Sequence, residues 1–125
     1  MEKIITFLML IIGVIHLLPL SGVMSSSQLE SLYGIKIQDN NLEILMRHRA
    51  VLFGILGSFF VYAAFKPTIQ PIAFIAAFLS IASFLWLSVS VGNFNAPIYK
   101  VVIADIVAAI CLVVAVIIYY LKASA

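Results

Sequence analysis

The chain has 125 residues, of which 65% are hydrophobic and 10% charged, and its mean hydropathy is +1.23. A water-soluble monomer of this size cannot hide that much apolar surface, and the length leaves room for one domain, so a separate soluble catalytic domain is excluded. The net charge of +2 comes from seven scattered basic residues, without the run or stripe that tracks a phosphate backbone, which argues against a nucleic-acid partner.

Four apolar stretches of spanning length follow one another. The first, residues 3–20, stops at Pro19-Leu20-Ser21-Gly22, where proline and glycine disfavour continuation. Its lysine-led apolar run imitates a cleavable secretion signal; with Met1 at its head, an uncleaved first span is expected. Residues 21–40 form the longest polar connection, and Ser27-Gln28-Leu29-Glu30-Ser31-Leu32-Tyr33 within it reads as a short amphipathic turn on the membrane surface, ended by Gly34. Asn40 and Glu43 stand at capping-box spacing and start a second helix over residues 41–65.

Lys66-Pro67-Thr68 makes a tight connection, and Pro71 suits the first turn of a third helix over residues 70–91. The segment from Gly92 to Pro97 reads as a turn, and a fourth helix covers residues 98–121 and closes at Lys122. The expected fold is therefore an all-α membrane protein, one domain over residues 1–125 built as an up-down-up-down four-helix bundle. Small residues recur at helical spacing: Ala50, Gly54, Gly57 and Ser58 on the second helix; Ala73, Ala76, Ala77, Ser80 and Ser83 on the third; Ala104, Ala108 and Ala115 on the fourth. Such stripes are packing faces, within the chain or against a partner helix.

Lys3, Lys66 and Lys122 fall at one end and Lys36, Arg47, Arg49 and Lys100 at the other. The positive-inside rule nearly ties. Because Glu30, Asp39 and Glu43 offset the second group, both termini are expected in the cytoplasm.

Ionisable residues inside spanning segments are costly and mark candidate sites. His16 lies one turn before Pro19, Arg47 precedes Ala50 by three and Gly54 by seven positions, and Asp105 shares a face with Val101, Ala108, Ala109 and Leu112. Helical phase thus aims Arg47 inward. In an antiparallel bundle these positions come to one depth, roughly 5–10 Å from one membrane boundary. Glu43, His48, Arg49, Asn93 and Asn95 rim the same end, and Trp86 is an interfacial anchor or a pocket wall. One outcome is a bare ion pair of Asp105 with Arg47 or Arg49. The other is a shallow pocket in which arginine and histidine hold the polar head of a quinone, fatty acid or phospholipid.

Two histidines at one end raise haem, but they lack i, i+4 spacing, and the single Cys111 allows neither a disulfide nor a CxxC pair. No metal site or obligatory cofactor is expected. With no nucleophile beside a base and no glycine-rich phosphate loop, an enzyme reading rests on the polar cluster alone.

The segment Leu32-Tyr33-Gly34-Ile35, the pair Arg49-Ala50 with Gly54, the turn Asn95-Ala96-Pro97 and the acid at Asp105 together form a pattern over nearly the whole chain. It resembles small bacterial four-helix membrane proteins of the DoxX-like type, including a group of unknown function. The resemblance implies a bacterial inner-membrane protein and selects Arg49, rather than Arg47, together with Asp105. Membrane-associated glutathione and eicosanoid enzymes also carry an arginine-alanine pair, but here Phe53 and Leu56 stand where their asparagine and glutamate would be. Small multidrug exporters use a glutamate embedded in their first helix, and here that helix has no acid beyond Glu2. The expected function is binding of an amphipathic ligand or a partner helix at the polar end. An accessory subunit of a membrane complex, a homo-oligomer, a small membrane enzyme and a proton-coupled transporter stand as alternatives.

Overall fold

The computed structural model describes residues 1–124, with the backbone alone at Ser26. It is all-helical: α1 (Glu2–Leu17), α2 (Ser26–Tyr33), α3 (Asn40–Ala64), α4 (Gln70–Val91) and α5 (Ala96–Ser124), with 3-10 turns over Leu18–Val23 and Pro67–Ile69. Four segments, Glu2–Val23, Asn40–Ala64, Pro67–Val91 and Ala96–Ser124, are long and apolar enough to cross a bilayer, whose core of about 30 Å needs roughly 20 helical residues. The chain is a multi-pass integral membrane protein. Its outer surface agrees, since Phe7, Ile55, Ile75, Phe78, Leu79 and Ile110 are all exposed.

The helix boundaries depart from the expected ones where local hydrogen bonds decide them. The first helix ends at Leu17 rather than at residue 20, because Pro19 sits at the start of a 3-10 turn that carries the chain to Val23. The expected capping box does not form. Asp39, in extended conformation, accepts from the Asn41 amide at 2.9 Å and starts α3 one residue early, while Glu43 reaches along the helix to Arg47. The last helix begins at Ala96, where the Asn95 side chain accepts from the Ile98 amide at 2.9 Å and thereby caps it.

The amphipathic turn expected over residues 27–33 is α2. The Ser25 hydroxyl accepts from the Gln28 amide at its start, and Gly34 closes it at φ +66°, a left-handed conformation that glycine adopts without strain. Its apolar side is packed into the chain, since Leu29 and Tyr33 are buried with Ile37 against Leu42, Met46, Ile98 and Val101.

α1 packs chiefly on α3 and α5, and α4 packs on α5. The main core joins Ile5, Met9 and Ile12 of α1 to Phe60 of α3, Phe74 and Ile81 of α4, and Cys111 and Leu112 of α5. Closest approach is between α1 and α3 at Gly13 and Gly57. A Cβ on Gly57 would lie 2.9 Å from the Gly13 carbonyl oxygen, so no side chain fits between the two backbones. Gly54 faces Leu20, beyond the end of α1. Ala50, Gly54 and Gly57 of α3 are thus used within the chain, while Ser58 is exposed.

Contacts at the helix ends fix which termini meet. Lys122 pairs with Glu2, the Thr6 hydroxyl donates to the Ala64 carbonyl, and the Tyr119 hydroxyl donates to the Pro67 carbonyl. The buried Gln70 amide donates to the carbonyls of Ala63 and Ala64 and so caps α3. Both chain ends, the end of α3 and the start of α4 therefore lie together. The 3-10 turn after α1, α2 and the start of α5 lie at the opposite end.

Candidate functional site

At that opposite end a cavity of about 330 Å³ opens between α1, α2, α3, α4 and α5. Its apolar wall includes Ile15, Leu18, Phe53, Phe84, Val101 and Ala104, and its polar groups are His16, Ser31, Tyr33, Arg49, Lys100 and Asp105.

Arg49 is held from two sides. Its guanidinium carbon stands 4.6 Å from the centre of the Phe53 ring and 5.2 Å from that of Tyr33, and Nη1 donates to the Tyr33 hydroxyl at 2.7 Å. Both rings lie beside the guanidinium, and with Nη1 on the Tyr33 hydroxyl its Nε and Nη2 have no partner among the described residues. Phe53 lies one turn after Arg49, so the two belong to one face of α3.

Tyr33 is fixed in turn by the α2–α5 junction. Asn95 Nδ2 donates to the carbonyls of Tyr33 at 2.8 Å and Gly34 at 3.2 Å, while its oxygen caps α5. Pro97 lies against Gly34, where a Cβ would stand 2.9 Å from the Pro97 ring. The segments Leu32–Ile35, Arg49–Ala50 and Asn95–Pro97 thus interlock at the mouth of the cavity, and Asp105 lies on the same wall.

Asp105 forms no ion pair and no hydrogen bond among the described residues, so the expectation of a bare pair with Arg47 or Arg49 does not hold. No side-chain nitrogen or oxygen shut off from solvent lacks a partner among those residues. The Asp105 oxygens and the Arg49 Nε and Nη2, which have no protein partner, therefore keep accessible surface. The two side chains face one cavity without closing on each other.

His16 is buried, with Nδ1 2.9 Å from the Ile12 carbonyl and Nε2 2.9 Å from the Ser80 hydroxyl. The carbonyl can only accept, so Nδ1 donates, and the neutral ring accepts from Ser80. Phe60 meets the ring edge-on at 4.9 Å. Both nitrogens are engaged within the chain, which fits a packed core histidine.

The other expected residues separate. Arg47 points away: it is exposed, donates from Nε to the Val23 carbonyl at 2.9 Å and stands 3.9 Å from Glu43. Helical phase placed it on the glycine face, but at its level that face meets the 3-10 turn after α1 and not the interior. Arg49 is the inward arginine. His48 is exposed, so the two histidines do not share the cavity, and no three His, Cys, Asp or Glu residues gather to hold a metal among the described residues. Trp86 is 69% exposed and is not a pocket wall; Phe84 takes that place. Asn93 is exposed at φ +55° in the turn before α5, and Asn95 is spent on the junction.

Sequence reasoning missed Tyr33, Phe53, Phe84 and Lys100 as wall residues. The spacing of Phe53 from Arg49 carried a signal for one of them, whereas Phe84 and Lys100 become visible only once the helices are packed. A second cavity, of about 410 Å³, lies at the chain-terminal end, but its polar groups Glu2, Thr6, Gln70 and Lys122 are engaged in the pairing and capping described above.

Compared with known proteins, the chain matches no family model, no curated protein and no solved structure.

Proposed function

We propose that this is a membrane binding protein that receives a lipid-like or quinone-like amphipathic molecule in the cavity between Arg49 and Asp105. One observation carries the reading: a cation and a carboxyl, both on membrane-spanning helices, line one apolar cavity with hydrogen-bonding capacity that no described residue uses. Charged groups in such segments are expensive unless paired, so a site that leaves them apart is built for something that enters between them. The ligand's head would take hydrogen bonds from Arg49 and meet Asp105, and its tail would lie on Phe53, Phe84 and Val101.

The helices are read as threading up-down-up-down through a bacterial inner membrane with both termini in the cytoplasm; the pairing of Glu2 with Lys122 supports only that the two termini share a side. The likeness to DoxX-like proteins belongs to the same reading, and the segments that carry it meet near the cavity. An accessory subunit or homo-oligomer held by the glycines of α3 is less supported, because Gly54 and Gly57 are occupied by Leu20 and α1.

Photo-crosslinking tests the reading. A diazirine-bearing fatty acid and a photoreactive quinone, applied to membranes holding the protein, are expected to label peptides containing Phe53, Phe84 or Val101, with labelling suppressed in Arg49→Ala. Labelling spread over the outer apolar surface, indifferent to Arg49, would contradict it.

A further inference from the structure

Resting on the cavity reading above, we infer that the occupant is a single-chain amphiphile whose head carries one negative charge, of the long-chain carboxylate type. The charge on the wall decides the sign. Two cations, Arg49 and Lys100, line the cavity with one carboxylate, Asp105; His16 has both nitrogens hydrogen-bonded inside the chain and offers none to a ligand. One positive charge is left without a partner. In a low-dielectric setting the complete assembly is favoured when its charges cancel, which a singly anionic head achieves and a neutral, cationic or doubly anionic head does not.

The geometry at Arg49 agrees. With Nη1 on the Tyr33 hydroxyl, the guanidinium keeps Nε and Nη2, the two donors of one edge, which match the two oxygens of a carboxylate. Lys100 is exposed and lines the same cavity, and its long side chain lets the ammonium move toward a bound head. Size sets the rest. About 330 Å³ lies at the low end for small-molecule sites, which favours a ligand with one chain over one with two.

Asp105 then acts as a selector. Its charge opposes a second negative charge in the cavity and so disfavours a phosphate-monoester head, while leaving room for one carboxylate between the cations. This role has a sign of its own. Removing the charge strengthens binding of a carboxylate, whereas for a hydroxyl-bearing head, which would donate to Asp105, the same change weakens it.

The test is titration of the purified protein in zwitterionic nanodiscs with palmitate, hexadecanol, hexadecylamine and a short-tailed ubiquinone, read by native mass spectrometry. Palmitate is expected to saturate at one per chain, to bind about tenfold more weakly to Arg49→Gln and Lys100→Gln, and to bind more tightly to Asp105→Asn. Thermal melting confirms that each variant is folded, and Lys100→Gln with Asp105→Asn carries the test if Arg49→Gln is not. Hexadecanol or the quinone binding in an Arg49-dependent way while palmitate does not, or weaker palmitate binding to Asp105→Asn, would overturn the anionic assignment and keep the cavity reading. Binding of none of the four probes, or binding indifferent to every wall variant, would remove both.

Discussion

Replacing Gly57 by alanine tests the crossing that holds the cavity's walls in place. The added methyl would stand 2.7 Å from Leu17 Cγ and 2.9 Å from the Gly13 carbonyl oxygen. The second neighbour is backbone and cannot rotate away, so α1 has to move. Overpacking of this kind costs about 1–3 kcal/mol, against which alanine regains about 0.5–1 kcal/mol of helix preference, leaving about 0–2.5 kcal/mol of net destabilisation. Gly54→Ala is the control. Its nearest neighbour is Leu20 Cδ1 at 2.5 Å, the tip of a side chain that is 41% exposed and free to swing aside. That variant is expected to match the parent or to gain up to about 1 kcal/mol. Cys111, buried in the core that α1 shares with α5, supplies the assay, because a small thiol reagent reaches it only when the bundle opens. Labelling rates should rise by up to about 60-fold in Gly57→Ala and stay level or fall in Gly54→Ala, at about tenfold per 1.4 kcal/mol. Unchanged labelling in Gly57→Ala together with faster labelling in Gly54→Ala would refute the crossing at Gly13 and Gly57.

Asn95→Ala removes the cap of α5 and both bonds to the carbonyls of Tyr33 and Gly34, and is expected to cost about 1–3 kcal/mol and to speed proteolysis between residues 24 and 39. Equal cleavage rates would show that the junction does not depend on it. Gln70→Leu removes the side-chain donor from the Ala63 carbonyl, which keeps the Lys66 amide, while the Thr6 hydroxyl still serves Ala64; melting should fall by the equivalent of about 0.5–1.5 kcal/mol with ligand binding at the far end unchanged. Tyr33→Phe keeps the ring beside Arg49 but removes a hydrogen bond to a charged group, so stability should drop by about 1.5–3 kcal/mol in denaturant titration while ligand affinity is held or improved.

The spanning segments were legible because length and hydropathy suffice to define them, and α2 was legible from its apolar spacing and the glycine that ends it. The boundaries were not, since they turn on single hydrogen bonds: Asp39 rather than Asn40 caps α3, and Asn95 caps α5. The two arginines show where periodicity stops being informative. A face of small residues says that something packs there, but not how far the neighbouring helix extends. Past Leu17 the chain turns, and Arg47 finds a turn carbonyl where a longer α1 would have met it. Arg49 belongs to a second inward face with Phe53 and Phe60, which the small-residue stripe concealed. Asp105 was legible as an expensive residue; that it meets no partner depends on the packing of five helices and cannot be read from one of them.

The most direct measurement is a native mass spectrum of the protein released from its own membranes in mild detergent, recorded for the parent chain, Arg49→Ala and Arg47→Ala. A retained small molecule is expected on the parent and on Arg47→Ala, whose side chain lies outside the cavity, and not on Arg49→Ala. A bare chain in all three, or a retained mass lost with Arg47 and kept without Arg49, would contradict the account.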